Sequence, residues 1–88
     1  MIEKMLIMKN RLGLHARPAA MLVQLTSKYK SEIKVFKGDQ EVDGKSIMGL
    51  MTLAAEFGCE IRIVANGEDE QDLLNKVTEL VDSKFSEA

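Results

Sequence analysis

The sequence predicts an α+β fold in which helices cover one face of a mainly antiparallel sheet. Strand-like and helix-like segments alternate in the order β-α-β-β-α-β-α along the 88 residues. Two segments carry apolar residues at helical spacing, and two others alternate apolar with polar residues as half-buried strands do. Helices that bury their apolar stripes against the same side of a sheet form an open-faced two-layer sandwich.

The first elements are a strand and a helix joined by a turn. Residues 2–9 are strand-like, and residues 10–13, Asn-Arg-Leu-Gly, are a turn signal. A helix is predicted from Ala16 to about Ser27, since apolar positions recur there every three or four residues. Pro18 suits its first turn, where a missing N–H breaks no intrahelical bond.

A hairpin and a short helix follow. Residues 32–37 alternate as a half-buried strand, and the Gly-Asp pair at 38–39 predicts a tight turn into a partner strand at 40–43. Ser46 is a suitable N-cap for a helix from Ile47 to about Ala55, with Gly58 as its stop signal.

The last strand and helix have the clearest patterns. Residues 60–66 place Ile61, Ile63 and Ala65 on one face of a strand. Asp69 is a candidate helix cap, and one apolar stripe then continues on a helix that ends near Phe85.

Composition and charge narrow the classes of partner. The formal net charge is −2 with no cluster of basic residues, which argues against nucleic acid as a ligand. Apolar runs are far shorter than the ~20 residues of a membrane span, and no signal peptide is apparent. The lone Cys59 has no disulfide partner and is expected to be a small core residue, with a reactive thiol as the alternative. We therefore expect one cytoplasmic domain over residues 1–88, with no metal, cofactor or membrane partner.

The chemistry is concentrated in residues 13–19, Gly-Leu-His-Ala-Arg-Pro-Ala. The only histidine, His15, directly precedes a helix start, where the free N–H groups of Ala16 and Arg17 and the helix dipole favour an anion. The Arg17 guanidinium is a further phosphate ligand. A neutral imidazole has a lone pair that can attack phosphorus. This arrangement indicates a phosphate acceptor.

Residues 13–19 resemble the phosphohistidine motif of the HPr family, the phosphocarriers of the bacterial phosphotransferase system. The resemblance covers essentially the whole chain and implies a sheet order of 1-4-2-3 under three helices. It implies that His15 accepts a phosphoryl group derived from phosphoenolpyruvate through enzyme I and passes it to an enzyme IIA. Arg17 would stabilise the phosphate, and the protein would be a monomeric carrier without a cofactor rather than an enzyme.

Residues 45–51, Lys-Ser-Ile-Met-Gly-Leu-Met, are similar to the regulatory segment of HPr proteins from Gram-positive and some other bacteria. The resemblance implies that an HPr kinase/phosphorylase modifies Ser46, which can also cap its helix, and it makes a catabolite control transcription factor a further candidate partner. Ile47, Met48 and Met51 cannot all join the buried stripe, so an exposed, adaptable docking patch is expected. The alternative is that the methionines fill gaps in the core.

Other functions remain open from the sequence. A regulatory homologue in a bacterium with an incomplete sugar phosphotransferase system would have the same motifs. The catabolite-repression paralogue of the family lacks the carrier histidine, whereas this chain has His15. A small acylphosphatase-like hydrolase would need a residue that positions water. A ferredoxin-like metal or RNA domain would need a Cys-x-x-Cys pair, a Gly-x-x-Gly loop or more aromatic residues.

Overall fold

The elements occur in the predicted order in the computed structural model, which describes residues 1–86. The strands and helices are β1 Ile2–Ile7, α1 Ala16–Thr26, β2 Glu32–Lys37, β3 Gln40–Asp43, α2 Ile47–Leu53, β4 Glu60–Asn66 and α3 Glu70–Asp82, followed by a 3₁₀ turn at Lys84–Ser86.

The four strands form one sheet in the order β1-β4-β2-β3, and every neighbouring pair is antiparallel. β4 lies between β1 and β2, with Ile61 opposite Leu6 and Ala65 opposite Ile33. Val35 of β2 lies opposite both Ile63 and Val42. The predicted α+β class and the 1-4-2-3 order are confirmed.

The core lies between the inner face of the sheet and the three helices. Alternate residues of β2 and β4 are buried, as their patterns predicted. The largest side chains that are almost completely buried include Met8, Leu22, Ile33, Leu50, Leu53, Ile61, Ile63 and Leu73. The outer face of the sheet has no helix on it within residues 1–86, so the sandwich is open-faced.

The second helix ends earlier than predicted. Its last residue is Leu53, and Ala54 takes a left-handed conformation with φ 53° and ψ 43°. Gly58 is therefore not the stop, although it does adopt a positive φ in the following turn. The cause is tertiary, because the carbonyl of the buried Ala55 turns away from the helix to accept the Leu14 amide at 2.8 Å.

Two other element ends also differ. β1 ends at Ile7, but backbone pairing continues at Met8. The Met8 amide donates to Cys59 O at 2.9 Å, and the Gly58 amide donates to Met8 O at 2.8 Å. α3 stops at Asp82, and Phe85 lies in the separate 3₁₀ turn. Cys59 is half-buried and packs against the edge of the core.

Asp69 lies at the predicted N-cap of α3, but its carboxylate does not cap that helix. It accepts hydrogen bonds from the amides of Lys30 at 3.0 Å and Ser31 at 2.9 Å, and from the Ser31 hydroxyl. These bonds, that of the Ser31 hydroxyl above all, stabilise the ionised form and lower the pKa of Asp69 to about 2. Asp69 thus joins the loop before β2 to the start of α3.

Candidate functional site

His15 lies immediately before α1 in an extended conformation, with φ −93° and ψ −168°. Its carbonyl accepts the Ala19 amide at 3.0 Å and so begins the helix. Its imidazole makes no capping hydrogen bond and is exposed. The helix start therefore fixes the backbone position of His15, and the ring nitrogens are free to react because they do not cap the helix.

The turn before His15 is held by a buried asparagine. The Asn10 side-chain amide donates to Gly13 O at 2.7 Å, and the Gly13 amide donates to Asn10 O at 3.3 Å. Gly13 has φ 68°, a left-handed conformation that glycine adopts without strain. Leu14 then donates to Ala55 O, which fixes this turn against the end of α2. The sequence indicated only a turn here and did not show that Asn10 would be buried.

The start of α1 offers two backbone donors to an anion. Within residues 1–86, the amides of Ala16 and Arg17 donate to no protein acceptor, and Pro18 has no amide hydrogen. The first turn contains no acidic residue. The Arg17 side chain is exposed and pairs with no carboxylate of the described residues. His15 thus stands beside two free donors and a free cation.

Two depressions meet at His15. One has a volume of about 330 Å³ and is lined by Leu12, His15, Arg17, Pro18, Met21, Lys84, Phe85 and Ser86. The other has a volume of about 260 Å³ and is lined by Leu12, Leu14, His15, Met51, Ala54, Ala55 and Glu56. The histidine therefore lies between the segment that follows α3 and the end of α2. The sequence did not indicate that Lys84 would lie there, 69 positions after His15.

Ser46 caps α2, because its hydroxyl accepts the Gly49 amide at 3.0 Å. Next to it, the exposed fraction is 41% for Ile47, 76% for Met48 and 42% for Met51. The expected exposure of these three residues is found, and gap-filling in the core is wrong for both methionines. We call Ile47, Met48 and Met51 the α2 patch. Since Met51 lines one of the depressions at His15, the α2 patch and the histidine lie on one continuous surface.

Other kinds of site are not apparent in residues 1–86. No three His, Cys, Asp or Glu side chains come together there as a metal site would require. In the same range, no helix combines the length and apolar character needed to cross a bilayer.

A family model described as the PTS HPr component phosphorylation site matches residues 2–83. The chain belongs to the HPr family. The family membership confirms the resemblance that residues 13–19 carry, and the family is one of phosphocarrier proteins. The phosphocarrier protein HPr of Xylella fastidiosa (strain 9a5c) is 46% identical over 87 residues, which cover 99% of this chain and 98% of that protein. The HPr-like protein Crh of Bacillus subtilis is 41% identical over 81 residues, which cover 92% of this chain and 95% of that one.

Solved structures of the HPr family have the same fold. A crystal structure of HPr from Thermoanaerobacter tengcongensis superposes with a TM-score of 0.96 at 43% identity, covering 100% of this chain and 99% of that one. A second structure from that organism is described as an HPr dimer. It gives a TM-score of 0.79 at 44% identity and covers 99% of this chain and 100% of that one.

Proposed function

We propose that this protein is the phosphocarrier of a phosphoenolpyruvate-dependent sugar phosphotransferase system. His15 accepts a phosphoryl group from phosphorylated enzyme I and passes it to an enzyme IIA. The observation that carries this proposal is the exposed imidazole, which lies beside the Ala16 and Arg17 amides and the Arg17 side chain, all without a protein partner among residues 1–86. We also infer that residues 1–88 act as one cytoplasmic domain.

The reaction is a transfer of the phosphoryl group between two acceptors. A lone pair of the neutral His15 ring attacks phosphorus, a P–N bond forms, and the bond between phosphorus and the donor atom of enzyme I breaks. The Ala16 and Arg17 amides and the Arg17 guanidinium stabilise the negative charge on the three phosphoryl oxygens. The same groups hold the phosphoryl group until an enzyme IIA removes it by the reverse chemistry.

A phosphate hydrolase needs a group that positions or activates water beside the phosphate. Among the described residues, no carboxylate lines the depression that His15 shares with Arg17, so none is placed to activate water there. The nearest asparagine in the sequence, Asn10, is buried, and its amide group is bonded to Gly13 O. These features favour storage of the phosphoryl group over its hydrolysis.

The test is labelling with phosphoenolpyruvate and enzyme I. We expect one phosphoryl group per chain, acid-labile and alkali-stable as a phosphoramidate is, and none on a His15→Ala protein. Arg17→Ala should slow the transfer, while the matched control Arg62→Ala, which removes a cation from β4, should not. A His15→Ala protein that still takes up the acid-labile label would refute the proposal.

We further propose that phosphorylation of Ser46 by an HPr kinase/phosphorylase weakens docking on enzyme I. Ser46 directly precedes the α2 patch, and that patch is continuous with the surface at His15. A partner carboxylate ~4 Å from the phosphate dianion would oppose binding by about 2 kcal/mol even at the dielectric constant of water. We therefore expect Ser46→Asp to raise the KM of enzyme I for this protein.

The control for the added charge is Gln71→Glu, in the exposed first turn of α3. It should leave the KM unchanged. An equal rise of the KM in both variants would contradict docking at the α2 patch, because net charge alone would then explain the effect.

A second candidate is a mainly regulatory role, with a catabolite control transcription factor as partner. The similarity to Crh favours it, since that relative matches nearly the whole chain. Loss of sugar uptake in a His15→Ala strain supports the carrier role, whereas normal uptake with altered catabolite control supports the regulatory one. We propose a monomer in either role, and light scattering would show whether this chain instead pairs as the T. tengcongensis HPr dimer does.

A further inference from the structure

The depression beside His15 carries a second cation on the segment that follows α3. Arg17 of α1 lines the depression, and so does Lys84, together with its neighbours Phe85 and Ser86. Among the described lining residues, the ionisable ones are His15, Arg17 and Lys84. These described residues contribute two fixed positive charges and no negative one, so their field favours an anion.

Lys84 is held at this position by the backbone around it. Ser83 donates to Glu79 O at 2.9 Å at the end of α3, and Ser86 donates to Ser83 O at 3.0 Å. Phe85 is buried to 5% exposure and belongs to the hydrophobic core, which anchors the segment to the body of the fold. The Lys84 side chain itself is exposed and pairs with no carboxylate of residues 1–86, so its ammonium is available to a ligand in the depression.

We propose that Lys84, which shares a depression with His15 and Arg17, stabilises the phosphoryl group carried by His15. The proposal rests on the proposed phosphocarrier function and adds to it a residue outside residues 13–19. A phosphoryl group has a charge near −2, and a single cation ~6 Å away in water that contains 0.15 M salt favours it about three-fold. In 1 M salt the same cation favours the phosphoryl group only about 1.4-fold, because the screening is stronger. The effect is a property of the phosphorylated protein itself and needs no docked partner.

The test measures where the phosphoryl group resides at equilibrium. Phosphorylated wild-type protein is mixed with an equal amount of unphosphorylated Lys84→Gln protein and a trace of enzyme I. Enzyme I moves the group between the two His15 rings, so that one P–N bond breaks for each that forms. The wild type is labelled uniformly with ¹⁵N, because Lys and Gln have nearly the same mass, and intact mass spectrometry at neutral pH then gives the ratio of the two phosphorylated chains.

With equal amounts of the two chains, the ratio of phosphorylated chains is the square root of the preference, so we expect about 1.7 to one in favour of the wild type in 0.15 M salt and about 1.2 to one in 1 M salt. Lys84→Arg keeps the positive charge, so its ratio to the wild type should be one to one at both salt concentrations. Lys76→Gln is the matched control, because it removes the charge of another exposed lysine, on α3. It should also give one to one.

A ratio of one to one for Lys84→Gln in 0.15 M salt overturns the role of Lys84 while leaving His15 as the carrier. The same shift with Lys76→Gln also overturns it, because the shift would then follow from net charge. If the wild type takes up no acid-labile label at all, the phosphocarrier function fails, and the role of Lys84 fails with it.

Discussion

The turn before His15 can be tested by adding a single methyl group at Gly13. A Cβ atom there would overlap the Ala55 carbonyl oxygen and lie 2.8 Å from the Glu56 Cα. Both neighbours are backbone atoms at the end of α2, so no flexible side chain can move aside. The turn must shift by about 1 Å, which lengthens the 2.8 Å hydrogen bond from Leu14 to Ala55 beyond bonding distance.

The expected loss of stability has two parts. Alanine at φ 68° costs about 1 kcal/mol in backbone conformation. Loss of the bond from the buried Leu14 amide adds about 2 kcal/mol, since the donor is left without a partner. Gly13→Ala should therefore lower the free energy of unfolding by about 3 kcal/mol. For a chain of this size, the midpoint of thermal unfolding should fall by about 12–24 °C.

Gly38→Ala is the matched control. Gly38 has a similar φ of 57°, but nothing lies within 4 Å of the place where its Cβ would be. It should cost only the conformational part, about 1 kcal/mol. Urea unfolding followed by far-ultraviolet circular dichroism measures both variants. Equal losses in Gly13→Ala and Gly38→Ala would show that the contact between the His15 turn and α2 is unimportant.

Gly13→Ala should also accept phosphate from enzyme I more slowly at temperatures where it is folded, because a displacement near 1 Å can cost about 100-fold in rate.

Three further predictions concern single residues. Ala54→Gly should raise the free energy of unfolding by about 1 kcal/mol in urea titrations, since Ala54 has a left-handed backbone at the end of α2; no gain would contradict that conformation. Ser46→Ala removes the cap of α2 and should lower the free energy of unfolding by about 1 kcal/mol, whereas Ser46→Asp keeps a hydrogen-bond acceptor and should lower it less. Equal losses in the two variants would contradict the capping role of Ser46. Asp69 has a pKa of about 2 when folded, against 3.8 ordinarily, so its contribution is complete above about pH 4 and is lost as the pH falls toward 2. Asp69→Asn should remove that part of the acid dependence in NMR-monitored unfolding, and an unchanged acid profile would contradict it.

Much of the fold could be predicted because its signals are local. The alternation in β2 and β4 and the stripes of α1 and α3 depend only on neighbouring residues, and they predicted the elements and the buried faces. His15 was identifiable for a similar reason, since the histidine, the helix start and Arg17 are adjacent in the chain.

The features that were missed depend on residues far apart in the chain. α2 ends at Leu53 because Ala55 turns to bind Leu14, about forty positions earlier, and no residue near Ala54 signals this. The carboxylate of Asp69 binds the amide of Ser31, 38 positions earlier, instead of capping its own helix. Such pairings are set by the packed sheet, so a pattern read along the chain does not contain them.

The central place of β4 in the sheet has a consequence for synthesis on the ribosome. β1 has no partner until β4, residues 60–66, has left the exit tunnel, because the two lie side by side in the sheet. Only the β2–β3 hairpin pairs two strands that are close in sequence. The loop that carries His15 also needs Ala55 for its anchoring bond. Until about 66 residues have emerged from the tunnel, the chain thus has no completed sheet against which the turn before His15 can be held.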